Sequence, residues 1–492
     1  MRALTAAQMR EVDRRTIESG IPGIILMENA GCRVVEFLSS VFAPLAQQRI
    51  TVVCGKGNNG GDGLVIARQL HTRFHAAALH VVLAASPDQM RGDAADNARM
   101  PAAVGCPFVY EVDEDMRRST LVVDAVLGTG LDGPATGRAL ELIQQINRGF
   151  PLAKVVAVDL PSGMLSDTGV CAGEFVRADY TVTFTAPKVC HVLAPACDNV
   201  GQWSVAQIGS PPELYADVRL ALNGPAAFRH LFAPRARESN KGRYGHLLVI
   251  AGSPGKAGAA ELAGVAALRA GAGLVTVTTQ AANAPELMTE AIDEIEANLS
   301  RKNSVIMGPG LGTFPEAVAL VRRVCAQVRL PMVLDADALN ALAGQPIPSP
   351  AARILTPHPG EMARLTGRSI AQVQADRVGI AREFAQRHGV YLVLKGHRTA
   401  IAFPDGRVTI NPTGTPALAT AGTGDVLTGI LGGLLAQFPD DIEAVVLAAV
   451  YLHGRAGEFG VAKYGEKSLL ATDLYEFLPG AMDEVASLPD LV

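Results

Sequence analysis

Two doubly wound α/β domains are the fold class this chain of 492 residues predicts, on three observations. Short apolar strands alternate with helical stretches along the whole length, the pattern of parallel sheets covered on both faces. Glycine-rich and acidic motifs fall directly after those strands, where open α/β sheets bind their ligands. The length exceeds one ordinary domain, and the periodic pattern breaks near Leu220.

Composition narrows the class. Apolar residues make up 49% of the chain, charged residues 18% and aromatic residues 5%, as in soluble globular proteins. The net charge of −5, with no dominant Lys/Arg cluster, argues against nucleic acid as a partner. The seven cysteines (Cys32, Cys54, Cys106, Cys171, Cys190, Cys197 and Cys325) are odd in number, scattered and without a CxxC pair. That argues against a disulfide framework or structural zinc, and makes a reducing cytoplasm the expected location. Arg10, Glu11, Asp13, Arg14 and Arg15 break up the N-terminus, so no signal peptide is expected. No apolar run approaches the roughly 20 residues that span a bilayer, so no membrane partner is expected.

In the first half, Ala6 to Ser19 has helical spacing and stops at Gly20-Ile21-Pro22-Gly23. Ile24 to Leu38 reads as a second helix carrying Met27-Glu28-Asn29-Ala30-Gly31. The strand Ile50 to Cys54 opens into the loop Gly55-Lys56-Gly57-Asn58-Asn59-Gly60-Gly61-Asp62-Gly63, with a helix from Leu64 to His71. Further strands are Leu79–Leu83, Leu121–Asp124, Val155–Asp159 and Thr181–Phe184. Gly55 to Gly60 satisfies GxGxxG, so a dinucleotide-binding dehydrogenase is a candidate. Its usual acidic companion at the end of the second strand is missing, since that strand closes in Leu83-Ala84-Ala85-Ser86. Asn58, Asn59 and Asp62 give the loop an oxygen-rich character suited to a cation, sugar hydroxyls or phosphate.

Met27 to Gly31, Asn58 to Gly63 and Asp159-Leu160-Pro161-Ser162-Gly163 together make residues from about Thr5 to Ile208 resemble the NAD(P)H-hydrate epimerase family, with a Rossmann-like fold. The resemblance implies that Asn59, Asp124 and Ser162 supply oxygen ligands to a potassium ion. It further implies that Asn58, Asn59, Gly60, Gly61 and Asp62, the segment Gly128, Thr129, Gly130, Leu131, Asp132, Gly133 and Pro134, and Asp159 hold the hydrated nicotinamide nucleotide. Epimerising a carbon that bears a hydroxyl beside a ring nitrogen needs loss and return of water, or ring opening. Either route needs a proton donor and acceptor. Asp159 at a strand end is the first candidate and Lys188, after the strand Thr181–Phe184, the second. The plainer readings are a cap for Asp159, a solvated surface lysine for Lys188 and an ordinary loop histidine for His191.

Ser210-Pro211-Pro212-Glu213, Asn223-Gly224-Pro225 and the polar stretch Pro234 to Gly242 interrupt the pattern. The expected domains are therefore 1–220 and 221–492.

The second half turns on Thr420-Ala421-Gly422-Thr423-Gly424-Asp425, followed by the apolar run Val426 to Leu431. Glycines and a hydroxyl before a helical apolar stretch leave backbone N–H groups unpaired at a helix N-terminus, a ready anion site. Asp425 would repel a phosphate that was only bound there. It makes sense if the carboxylate takes a proton from an alcohol while the loop neutralises a migrating phosphoryl group. The bland alternative is an acidic residue serving the helix dipole. Strands end at Gly252, Gly308, Asp335, Thr356 and Lys395, again with polar groups behind them, and no GxxxxGK[ST] occurs.

Through Thr356-Pro357-His358-Pro359-Gly360-Glu361 and Ala421 to Asp425, Phe228 to Leu478 resembles the ribokinase-like superfamily and, within it, the NAD(P)H-hydrate dehydratase branch. The resemblance implies that Ala257, Gly310 and His358 line the hydrate pocket. Lys395, Gly396, His397, Arg398, Thr399 and Gly424 would hold the adenine nucleotide, and Asp425 would contact the substrate hydroxyl. Gly310 is in isolation equally a turn glycine, and Asp335 and Asp337 stay open between assisting magnesium and capping the next helix. The implied activity is bifunctional: epimerisation of hydrated NADH and NADPH, and dehydration of one epimer with ADP and Mg2+. The expected partners are these small molecules, and the expected state is a homo-oligomer. The rivals are a kinase for a small vitamin or sugar alcohol, and a first domain that is a non-catalytic scaffold.

Overall fold

The apolar strands of the first half lie side by side in one parallel sheet. The computed structural model describes residues 1–279, 282–292 and 299–488. It divides into one unit from Met1 to Val218 and a second from Arg219 onward. In the first, β1 (Arg49–Cys54), β2 (Ala78–Leu83), β3 (Leu121–Ala125), β4 (Lys154–Val158), β5 (Tyr180–Phe184) and β6 (Gln202–Ala206) take the order β2-β1-β3-β4-β5-β6. Successive side chains point to opposite faces. Ile50, Val52 and Cys54 of β1 and Leu121 and Val123 of β3 therefore pack with the helices Gly23–Val41 and Asn58–Arg73. Val53 and Val122 meet Leu142, Ile143 and Ile146 of the helix Gly137–Gly149 on the other face. Burial on both faces is why these strands read as continuous apolar runs.

The stretch Asn58 to Gly63, expected as a loop, forms the first turns of the helix Asn58–Arg73. Glycine is needed there for close approach. A Cβ on Gly60 would stand 1.9 Å from the Gly55 carbonyl oxygen, and one on Gly55 would stand 1.9 Å from that of Val126. The helix N-terminus is thereby pressed against the strand ends.

The N-terminal helix Ala6–Glu18 is tied to the turn after β5. Leu4 bridges to Lys188, its N–H donates to the Pro187 carbonyl (2.9 Å), and the Ala6 N–H donates to Asp167 Oδ1 (2.6 Å).

Among the described residues the second unit holds a ten-stranded sheet. Its strands are β7 (Leu220–Leu222), β8 (His246–Ile250), β9 (Leu274–Val277), β10 (Met288–Thr289), β11 (Ser304–Met307), β12 (Met332–Leu334), β13 (Arg353–Leu355), β14 (Tyr391–Leu394), β15 (Ala400–Ala402) and β16 (Val408–Ile410). They run in the order β10-β9-β8-β11-β12-β13-β14-β15-β16-β7, parallel except for the β14-β15-β16 pairings. The helix Thr423–Gln437 is buried from Val426 to Ala436. It lies at backbone contact with the helix Ala257–Arg269: a Cβ on Gly429 would come within 2.3 Å of the Ala263 carbonyl oxygen. Among the described residues no helix is long and apolar enough to cross a membrane.

Candidate active sites

In the first unit, the strand ends and the N-terminal helix surround a cavity of about 500 Å³. Asn58, Asn59, Asp62, Gly128, Thr129, Gly130, Asp159 and Lys188 line it. Gly60 and Gly61 are buried in the helix start behind Asn59. Leu131, Asp132, Gly133 and Pro134 continue the same loop outside the lining residues. Asp159 and Lys188 form a close ion pair. Lys188 is 1% exposed, so the solvated-lysine alternative fails. Its ammonium also donates to Thr183 Oγ1 and the Phe184 carbonyl, each at 3.0 Å. Asp159 further accepts from Thr183 Oγ1 (3.0 Å) and the Phe184 N–H (3.3 Å). An ammonium with all three of its donors used, one of them on a carboxylate, is what makes such burial tolerable. His191 lies in a buried helical turn, and its Nδ1 accepts from the Lys188 N–H at 3.0 Å. Burial holds its ring down to about 4, with the Lys188 charge adding, so it stays neutral and positions Lys188.

Beside the cavity, Asn59, Asp124 and Ser162 meet around Leu127. Ser162 donates through Oγ and N–H to the two oxygens of Asp124 (2.6 and 2.8 Å), and Asn59 Nδ2 donates to the Leu127 carbonyl (2.9 Å). Asp124 is fully buried, and burial pushes its carboxyl up to about 6 against the hydrogen bonds from Ser162 and Val126. A set of hard oxygens around a buried carboxylate fits an alkali cation.

In the second unit Asp335, Gly424 and Asp425 gather around Lys395. Its ammonium stands 3.0 Å from Asp335 Oδ1 and 4.0 Å from Glu361 Oε2. A Cβ on Gly424 would lie 3.5 Å from the same nitrogen. Thr428, one turn beyond Asp425, donates to Asp335 Oδ2 at 2.7 Å. Burial works against the Lys395 charge, but Asp335, Glu361 and Asp425 outweigh it and hold the ammonium above its ordinary range. Burial pushes the Asp425 carboxyl up to about 7, Asp335 adding and Lys395 opposing. Gly422 starts the helix in the left-handed region (φ 89°) and offers no side chain as a cap; the Thr423 N–H reaches back to the Thr420 carbonyl (3.4 Å), which leaves those of Gly424 and Asp425 for a ligand.

Ala257 begins its helix beside Gly310, whose φ is 59° and whose Cβ would meet the Lys256 carbonyl oxygen at 2.9 Å. His358 caps the helix Pro359–Thr366: Nδ1 accepts from the Gly360 N–H at 3.0 Å, and the His358 N–H donates to Glu361 Oε2 at 2.8 Å. Gly396, His397, Arg398 and Thr399 form the turn between β14 and β15. Asp337 Oδ2 accepts from the Gly312 N–H (2.8 Å) and lies 3.8 Å from Lys256 Nζ.

Sequence reasoning gave no role to Glu361, Thr428 or His453. The first was legible as the far half of a capping box opened by His358. The others were not, since their partners are distant in sequence: Thr428 holds Asp335, and His453 Nε2 donates to the Thr423 carbonyl (2.9 Å) behind the Gly424 turn. Backbone strain marks both places. Non-glycine residues with positive φ include Asp159 itself (68°), and Thr185 (66°), Ala336 (49°) and Arg398 (56°), which stand within a few residues of Lys188, Asp335 and Lys395. Each such conformation costs roughly 1–3 kcal/mol and persists where a site needs it.

The NAD(P)H-hydrate dehydratase family matches residues 247–480, and the family described as YjeF-related protein N-terminus matches residues 23–190. The bifunctional NAD(P)H-hydrate repair enzyme Nnr of Moorella thermoacetica is 42% identical over 97% of this chain and 96% of its own length. That of Coxiella burnetii is 39% identical over 96% of this chain and 97% of its own. The solved structure of an ADP/ATP-dependent NAD(P)H-hydrate dehydratase from Bacillus subtilis, co-crystallised with ATP/Mg2+, is 35% identical, covering 54% of this chain and 98% of that one with a TM-score of 0.49. By its match across nearly the whole of these relatives, the chain belongs to the family of bifunctional NAD(P)H-hydrate repair enzymes.

Proposed function

We propose that the chain restores hydrated NADH and NADPH at two active sites. Residues 1–220 interconvert the R and S forms of the hydrate. Residues 221–492 dehydrate the S form, with ADP as phosphoryl donor and AMP and phosphate as products. The single observation that supports this reading best is Asp425, an acid within the first turn of an uncapped helix beside buried Lys395 and Asp335. Its carboxyl near neutrality is matched to proton abstraction at working pH.

The steps follow from the groups. Asp425 takes the proton of the hydrate hydroxyl, and the oxygen attacks the terminal phosphorus of the nucleotide. The N–H groups after Gly422 and the Lys395 ammonium receive the negative charge spread over the migrating phosphoryl. Phosphate then leaves with that oxygen, pushed by the lone pair of the ring nitrogen, and loss of a ring proton restores the double bond. Gly396, His397, Arg398 and Thr399 would hold the nucleotide, and Ala257, Gly310 and His358 the hydrate. Magnesium would enter on the nucleotide's phosphates with several of its own waters. Potassium would sit among Asn59, Asp124 and Ser162 and neutralise the buried carboxylate beside the nucleotide. A cytoplasmic enzyme and a homo-oligomer complete the proposal.

Supplying both epimers of hydrated NADH with ADP tests it. The wild-type protein should return all of the material to NADH, whereas Asp159→Ala should return the S form at the full rate and leave the R form behind. Conversion of both epimers at the full rate by Asp159→Ala would make the first domain a scaffold.

A further inference from the structure

The N-terminal helix Ala6–Glu18 lies ahead of the residues the N-terminal family matches, which begin at 23. It nevertheless forms a wall of the epimerase cavity, contributing Met9, Arg10, Asp13 and Ile17 to its lining. Its start is bonded to the turn that carries Lys188, through Leu4 to Pro187, and to the segment between β4 and β5, through Ala6 to Asp167. Asp13 is the one carboxylate this helix presents to the cavity, and its Oδ1 is buried without a hydrogen-bond partner. An unpartnered buried carboxyl oxygen next to a substrate cavity costs free energy unless a ligand uses it.

We propose that Asp13 is a second catalytic residue of epimerisation, the acid that protonates the departing hydroxyl while the Asp159–Lys188 pair serves the returning water. The proposal rests on the reading of this domain as an epimerase. In the step, Asp13 gives its proton to the hydroxyl oxygen, the C–O bond breaks, and the lone pair of the ring nitrogen forms the C=N bond. Water adds to that carbon from the opposite face, its oxygen forming the new C–O bond and the C=N electrons returning to nitrogen. Asp159 takes the surplus proton. The balance closes when that proton passes back to Asp13. Asp62, which lines the same cavity and feels the charges of both Asp159 and Asp13, is the group suited to carry it.

The electrostatics agree with the assignment. Burial pushes the Asp13 carboxyl up to about 6, Lys188 opposing and Asp159 adding. Asp62 is raised well above the carboxylate range by burial, then by Asp159 and Asp13, with Lys188 opposing. Arg10, Lys56 and Asp93 are the other charged groups on the cavity wall.

The test uses the full chain, pure R-hydrate of NADH, and excess ADP so that each S-hydrate formed is consumed. Wild-type conversion of the R form establishes epimerisation by itself, and its absence would remove that reading whatever Asp13 does. Given conversion, Asp13→Asn should lower kcat for the R form about 100-fold or more with little change in KM. It should also erase the fall in rate that the wild type shows as pH rises through about 6. The rate on pure S-hydrate should be unchanged. A wild-type kcat in Asp13→Asn, or a loss confined to KM, would overturn the proposal. Asp167→Ala removes the acceptor that anchors the start of the helix, lies outside the cavity lining and separates position from chemistry. If it lowers kcat equally and leaves the same pH profile as Asp13→Asn, the helix is structural and the proposal falls.

Discussion

At the scale of single residues, the proposed chemistry depends on how burial sets the charge of Asp425. Its carboxyl stands near 7, so dehydration should weaken as pH falls through about 7, because the protonated acid cannot accept the substrate proton. Lys395 is the group that holds that value down. Lys395→Met should therefore move the acid limb to higher pH, read from kcat against pH; an unmoved limb would show that another group titrates. Replacing choline chloride by potassium chloride should raise the melting temperature of the wild type, since ligands that bind only the folded state stabilise it. Ser162→Ala should remove that shift by taking from the cation site the hydroxyl oxygen that stands beside Asp124. These partnerships were partly legible. Asp425, Asp159 and Asn59 stand in motifs, whereas the burial of Lys188 depends on Asp159, some thirty residues earlier and on another strand. Asp13 showed in the sequence only as a charge that breaks up the N-terminus. Its place in the cavity depends on the pairing of Leu4 with the Lys188 turn, which no local pattern encodes.

Elements carry these residues to their positions, and glycines decide how closely the elements approach. Gly429 faces the backbone of the helix Ala257–Arg269, so Gly429→Ala forces the two helices apart. Overpacking of this kind costs about 1–3 kcal/mol, and a fall of several degrees in melting temperature is expected. Gly258→Ala, whose Cβ would meet nothing within 4 Å, is the control and should leave it unchanged or higher. Equal melting temperatures for the two variants would show that the helices do not touch there. The strands were readable because burial on both faces made them uniformly apolar. The turn from Asn58 to Gly63 was not, because glycine and asparagine locally signal a loop. Contacts distant in sequence explain why glycines are needed inside a helix start: Gly60 against Gly55, Gly61 against Met27, and Gly63 against Cys54 and Ala125.

For the whole molecule, the alternation of strands and helices gave α/β sheets, and the structure has them. Sequence patterning left the border near Leu220 soft. In the structure Leu220–Leu222 is a strand paired in parallel with β16, so that segment belongs to the sheet of the second unit. An epimerase joined to a dehydratase makes chemical sense in one chain, since an enzyme specific for the S form would strand the R form.

The most direct measurement follows hydrated NADH of S configuration with ADP, recording NADH absorbance and phosphate release together, in the wild type and in Asp425→Asn. The expected result is equal molar recovery of NADH and phosphate in the wild type, and a rate lower by about 100-fold or more in the variant. Full turnover by Asp425→Asn, or a stable phosphorylated product without NADH, would contradict it.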